Sequence, residues 1–191
     1  KPQEIVADLG KRWEMEQIAL RLWPSASTIQ SMITATFDLV EKNNLKPADV
    51  RKIRVAMSKT AVDLHGIFPR YKAKFDALIS AHYVAAAILH DRALTLRQFE
   101  AERYDDPKLR RAAAELIEVK PDAAIKGNDC NVRIAMADGK VLEAFCHHPR
   151  GSFENPLSRA QIEAKFRTYA KDVLPDARAE EVIALVRRLE D

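Results

Sequence analysis

Five glycines in 191 residues leave no glycine-rich loop to cradle phosphate groups, and neither a GxSxG nor an HExxH pattern occurs. The usual signatures of nucleotide-dependent transfer, serine-elbow hydrolysis and zinc proteolysis are therefore missing. Two cysteines are too few for a disulfide scaffold. They point to a reducing compartment, with the cytoplasm as the expected location. No apolar run is long enough to span a bilayer, so no membrane partner is expected. Charge of one sign is also lacking: 31 Lys and Arg are interleaved with 28 Asp and Glu, for a net charge of +3. That is a mixed surface, not the basic stripe of a nucleic-acid binder.

What is present is the composition of a globular protein, 47% hydrophobic and 31% charged, with enough apolar material for a real core. The length suits one domain or one and a half. The organising stretch is 74–99. In it Leu78, Ile79, Val84, Ala85, Ile88 and Leu89 recur at three- and four-residue spacing, which predicts a helix to about His90 with a buried face. Ala85-Ala86-Ala87 lets a neighbouring backbone come close. Ser80, His82 and Tyr83 form a polar cluster on that helix, and Thr95 can cap a short helix beyond it.

Around this stretch, residues 1–10 read as a helix end stopped by Gly10, and 17–23 as a short extended segment. Pro24-Ser25 opens a helix to about Asn44, and 46–49 is a turn feeding a strand over 50–57. Residues 58–71 show no strong period and read as a loop. A helix starts at Pro107 and yields to a strand near 115–119, followed by loop over 122–129. Residues 129–147 predict a β-hairpin around Ala137-Asp138-Gly139. A three-residue turn sets Ile134 against Leu142, Val132 against Ala144, Cys130 against Cys146 and Arg133 against Glu143. A two-residue turn would set Ile134 against Glu143, which is worse chemistry. Two helices, 159–173 and 178–189, end the chain and need another surface to pack on. The expected fold is α+β, a small lid with a few-stranded antiparallel sheet and packed helices.

Three blocks carry a family resemblance. The first is Ser80, Tyr83, Val84-Ala85-Ala86-Ala87 and the step Leu94, Leu96, Phe99. The second is His148-Pro149-Arg150-Gly151-Ser152, Glu154-Asn155-Pro156-Leu157-Ser158 and Lys165-Phe166. The third is Leu9-Gly10, Trp13 and Leu22-Trp23-Pro24-Ser25. Together they resemble the C-terminal region of the MmgE/PrpD family. The resemblance implies a lid (24–150) over an active site. Residues 1–23 would link it to a helical N-terminal domain absent from this chain, and 151–191 would return to that domain. It also implies a metal-independent reaction on a small di- or tricarboxylate: dehydration, decarboxylation or epimerisation next to a carboxylate, in a homodimer. No cofactor is expected. The family's main catalytic residues lie largely in the helical domain, so this chain alone is expected to be inactive.

Each candidate residue has two readings. By resemblance, Tyr83 lies in the active-site cleft and donates a proton or holds an oxyanion; otherwise it is a core tyrosine with its hydroxyl satisfied locally. Ser80 and His82 border it as substrate contacts or as structural polar groups. Gln30 stands where many family members carry a histidine; it can hydrogen-bond a substrate but cannot titrate, or it is simply a polar residue on the exposed edge of its helix. Arg150, or Lys72 or Lys74, can neutralise a substrate carboxylate or simply face solvent. His147 and His148, as strand neighbours, point to opposite faces and cannot easily share an ion, so no metal is expected. The competing function is a non-catalytic module that docks a partner protein through its last helix.

Overall fold

The computed structural model describes residues 3, 6–11, 13–66 and 70–189. The helix end expected over 1–10 lies partly outside them; within them Gly10 adopts a positive φ of 77°. Residues Glu14–Gln17 make a 3₁₀ turn, after which the chain runs extended without joining a sheet.

Alternation of Ile53, Val55 and Met57 with Arg54 and Ala56 produces β1 (Val50–Met57), buried on one face. It is joined by β2 (Ile117–Pro121), β3 (Cys130–Met136) and β4 (Val141–Cys146) in the order β2-β1-β3-β4. The β3–β4 hairpin takes the three-residue turn. Met136 N donates to Lys140 O at 2.8 Å, and Gly139 has φ 89°. Ile134 then faces Leu142, Cys130 faces Cys146 and Arg133 faces Glu143, as the side-chain chemistry demands. Both cysteines are free thiols. The expected antiparallel pairing holds for β1–β3 and β3–β4, whereas β1 and β2 run parallel with Ile53 opposite Ile117. The helical stretch between β1 and β2 is long enough to return the chain to the same end of the sheet, which parallel pairing requires. The fold is α+β with a mixed sheet.

Helix α1 (Gln30–Lys42) packs on β3 and β4 and against a second layer of helix. Its residues from Gln30 to Phe37 are all buried, because it is covered on both sides. A real helix, α2 (Lys59–His65), replaces the loop expected over 58–71, of which 67–69 lie outside the described residues. Ser58 caps it by accepting from Ala61 N, and Ala61 and His65, one turn apart, form its buried face. The single helix expected over 74–90 is two, α3 (Lys74–Ile79) and α4 (Ala81–Asp91). Ser80 breaks it by taking an extended conformation and capping α4, its Oγ accepting from Tyr83 N. Ala85, Ala86 and Ala87 are fully buried in α4, which packs on α1.

Thr95 caps the 3₁₀ turn Leu96–Phe99, and α5 (Ala101–Tyr104) leads to α6 (Pro107–Glu115), capped by Asp106. The chain ends in α7 (Arg159–Ala170) and α8 (Asp176–Arg187), which pack on each other. Arg187–Glu163 at 2.6 Å and Arg167–Glu180 at 2.5 Å tie the two together. Lys165 Nζ reaches Arg21 O at 2.5 Å and ties α7 to the segment before α1.

Two local devices hold these layers in place. Leu20 N donates to Gly151 O at 2.8 Å, so the segment leading into α1 is stitched to the one leaving β4. Gly151 sits at φ 92°, and a Cβ there would lie 2.0 Å from Leu20 O. His65, in turn, links three elements. Its Nδ1 lies 2.9 Å from the Ile79 carbonyl, which only accepts, so Nδ1 carries the proton. Its Nε2 then accepts from the Thr28 hydroxyl. Burial pushes the His65 pKa below its ordinary value, with the Ile79 bond opposing.

Gly151→Ala is expected to destabilise the fold by about 2 to 4 kcal/mol, from a left-handed backbone plus a collision with Leu20 O. Gly139→Ala, also at positive φ but with open space around it, should cost only about 1 kcal/mol. Urea denaturation of both variants checks the difference. For His65 the sign follows from its depressed pKa. Its contribution is complete above the unfolded value near 6.5 and is lost as pH falls through the lower folded value. Wild type should lose stability below about pH 6.5 more steeply than His65→Asn, measured by chemical denaturation across that range.

Candidate functional site

Tyr83, expected at a cleft, instead closes a buried aromatic cluster. It is 0% exposed on the first turn of α4, and its hydroxyl donates to the Gln98 carbonyl oxygen. Its ring meets Tyr71 edge-on at 5.2 Å and Phe99 at 5.9 Å. Desolvation drives its phenol pKa well above the usual value, with the Arg103 charge opposing in part. A proton held on a backbone oxygen inside the core is not poised for a substrate. Ser80 is equally interior: it caps α4, and its Oγ lies 3.2 Å from the Tyr71 hydroxyl. Burial pushes Tyr71 up to about 12. His82 sits half-buried on the same turn of α4.

A separate cleft of about 500 Å³ opens where the start of α1 meets the segment leaving β4. It unites two of the expected residues, Gln30 and Arg150, and contains none of Tyr83, Ser80 and His82. Gln30 is 3% exposed. Its Nε2 lies 3.3–3.4 Å from the carbonyls of Trp23, Ser25 and Ala26, while its Oε1 finds no donor among the described residues. An orphaned acceptor of this kind costs about 1–3 kcal/mol. Arg150 lines the cleft, but its charge is committed. The guanidinium donates to Asp38 and, at 3.3 Å, to Glu41, and lies 5.8 Å from the centre of the Trp23 ring. It cannot neutralise a substrate carboxylate without giving up that pairing.

The cations on this cleft without carboxylate partners among the described residues are Arg21 and Lys126, which donate to the Ser25 and Ala123 carbonyls at 3.1 and 2.8 Å. Neither was marked by the sequence reading, since an isolated Arg or Lys carries no pattern. The two histidines also behave differently from expectation. β4 ends at Cys146, so His147 and His148 escape strand alternation, and their rings lie 4.1 Å apart on one side. His147 Nδ1 is 2.6 Å from Asp129 Oδ1, and His148 Nδ1 is 3.3 Å from Glu154 Oε2. Among the described residues no group of three or more His, Cys, Asp or Glu is placed to hold a metal ion.

The structure so far defines an α+β unit with a polar cleft at its edge and two terminal helices carrying exposed apolar residues. The MmgE/PrpD C-terminal domain model matches residues 23–191. The chain belongs to the MmgE/PrpD family. A human cis-aconitate decarboxylase is 28% identical over 156 residues, covering 80% of this chain and 32% of that protein. Cis-aconitate decarboxylase of Aspergillus terreus is 24% identical over 205 residues, covering the whole of this chain and 41% of that protein. The chain thus spans about two-fifths of the length of such relatives or less.

If the Tyr83 hydroxyl serves the core, Tyr83→Phe should keep the fold and lose about 1 to 2 kcal/mol, because the Gln98 carbonyl is left without its donor. Thermal and urea unfolding of the variant provide the measurement.

Proposed function

We propose that this chain is the lid-bearing part of a metal-independent lyase or isomerase that acts on a small di- or tricarboxylate. The observation that carries this reading is the alignment of cis-aconitate decarboxylases along the whole chain. Decarboxylation next to a carboxylate therefore ranks ahead of dehydration and epimerisation. Such chemistry needs cations for the carboxylates and a means of moving a proton. Arg21 and Lys126 meet the first need. Gln30, with its unused Oε1, is the substrate contact that fixes orientation. Tyr83, Ser80 and Arg150 serve by holding the lid's shape, with His82 on the same turn as Tyr83.

In this reading residues 1–23 lead from a helical domain, 24–150 form the lid, and 151–191 return to that domain. Support comes from apolar residues left outside: Val173, Leu185, Val186 and Leu189 are 80%, 54%, 63% and 82% exposed. A homodimer in the cytoplasm completes the proposal. The second reading, a non-catalytic module docking through α8, is favoured by one observation. The hydroxyl expected to do the chemistry, that of Tyr83, is closed in a buried ring cluster.

The deciding experiment incubates the full-length gene product, and separately this chain, with cis-aconitate or 2-methylcitrate and follows product by proton NMR. Turnover by the full-length protein and none by the chain alone is expected. Absence of both turnover and calorimetric binding for these acids would leave the docking module as the better reading. Gln30→Ala should raise KM about tenfold, the loss of one hydrogen bond, with little change in kcat.

A further inference from the structure

We infer that His147 is the proton-carrying catalytic residue of this cleft, oriented by Asp129, with His148 and Glu154 as a second pair beside it. The inference rests on the reading just given, that the cleft takes a small carboxylate. Its basis is the juxtaposition of two carboxylate-bound imidazoles in one cleft with two cations that meet no carboxylate, and an acceptor that meets no donor, among the described residues.

The tautomer follows from the partners. Carboxylate oxygens only accept, so each Nδ1 carries a proton and each Nε2 presents either a lone pair or, in the imidazolium, a second N–H. Among the described residues no hydrogen bond engages His147 Nε2. His147 is the better placed of the two, because its carboxylate is closer, 2.6 against 3.3 Å, and Asp129 is 19% exposed against 51% for Glu154. A sheltered carboxylate fixes the orientation and the tautomer of the ring. The other charged groups on the cleft walls are Arg21, Lys126 and the paired Arg150. A carboxylate drawn in by Arg21 and Lys126 enters the same cleft as the imidazole.

In a decarboxylation the carbon–carbon bond breaks and its electron pair stays on the substrate carbon as carbon dioxide leaves. The proton on His147 Nε2 passes to that carbon, and the N–H electron pair remains on nitrogen. Water then reprotonates the ring. One proton is consumed and no oxidant or further reactant is needed. General acid catalysis of this kind contributes about 10² to 10⁴ in rate.

The test uses the full-length protein and two readouts. In turnover of cis-aconitate, His147→Gln should lower kcat at least about a hundredfold with KM changed only a few-fold. Asp129→Asn should lower kcat about tenfold with KM nearly unchanged, because the ring loses the group that orients it. Independently, the ring-proton resonances of the five histidines are followed by NMR as cis-aconitate is added. The acid should move the His147 resonances and leave those of buried His65 in place. Retained kcat in His147→Gln overturns the inference while the carboxylate reading stands. No turnover by wild type and no histidine resonance moved by the acid overturn the carboxylate reading, and the inference with it.

Discussion

The close approach of α1 and α4 is the contact on which the rest of this chain depends. Ala85, Ala86 and Ala87 are fully buried, and α1 is sealed on both faces from Gln30 to Phe37. Larger side chains at these three positions would push α4 off the elements packed around it, α1, α6 and β2, at a cost of about 1–3 kcal/mol for each overpacked site. With α1 held against β3 and β4, its N-terminus is fixed where the segment through Leu20 meets the segment through Gly151. The cleft is thus set by helix packing and closed by a backbone hydrogen bond, before any polar residue in it is considered.

Much of this fold was legible because its signals are local and geometric. The β1 bounds, the register of the hairpin and the capping of the turn after Thr95 follow from alternation, one glycine turn and a hydroxyl. The parallel pairing of β1 with β2 was not legible, because it is decided by where a long helical crossover returns. The break at Ser80 was hidden for a different reason. Serine can cap a helix or sit inside one, and apolar spacing continues across it. α2 was missed because a helix of seven residues with two buried positions has too few turns to show a period.

The site was less legible than the fold. Gln30 and Arg150 do meet at one cleft, 120 residues apart in sequence, yet nothing in the sequence marks Asp38 and Glu41 as the partners that absorb the arginine's charge. Tyr83 shows the same difficulty in reverse. A motif can name a residue type, but the acceptor for its hydroxyl, Gln98 O, comes from a turn whose path is a tertiary fact. The histidine pair turned on a single residue of strand length. Had β4 continued through His148, the rings would lie on opposite faces; ending at Cys146, it releases them to one side.

That difference bears on how the cleft divides its labour. Gln30 is buried and anchored by three weak contacts, so it is a rigid wall with an acceptor still unused among the described residues but no group that titrates. Arg150 is rigid and charged but already neutralised, and it serves to hold the Trp23 side of the lid. His147 is the converse, 62% exposed on its side chain yet oriented through a carboxylate that is largely sheltered. A group that must exchange protons with solvent between turnovers needs that exposure, while a group that must aim needs the buried partner. Both requirements meet in His147 and Asp129. Tyr83 satisfies only one of them, because inside the ring cluster its hydroxyl is aimed but cut off from solvent.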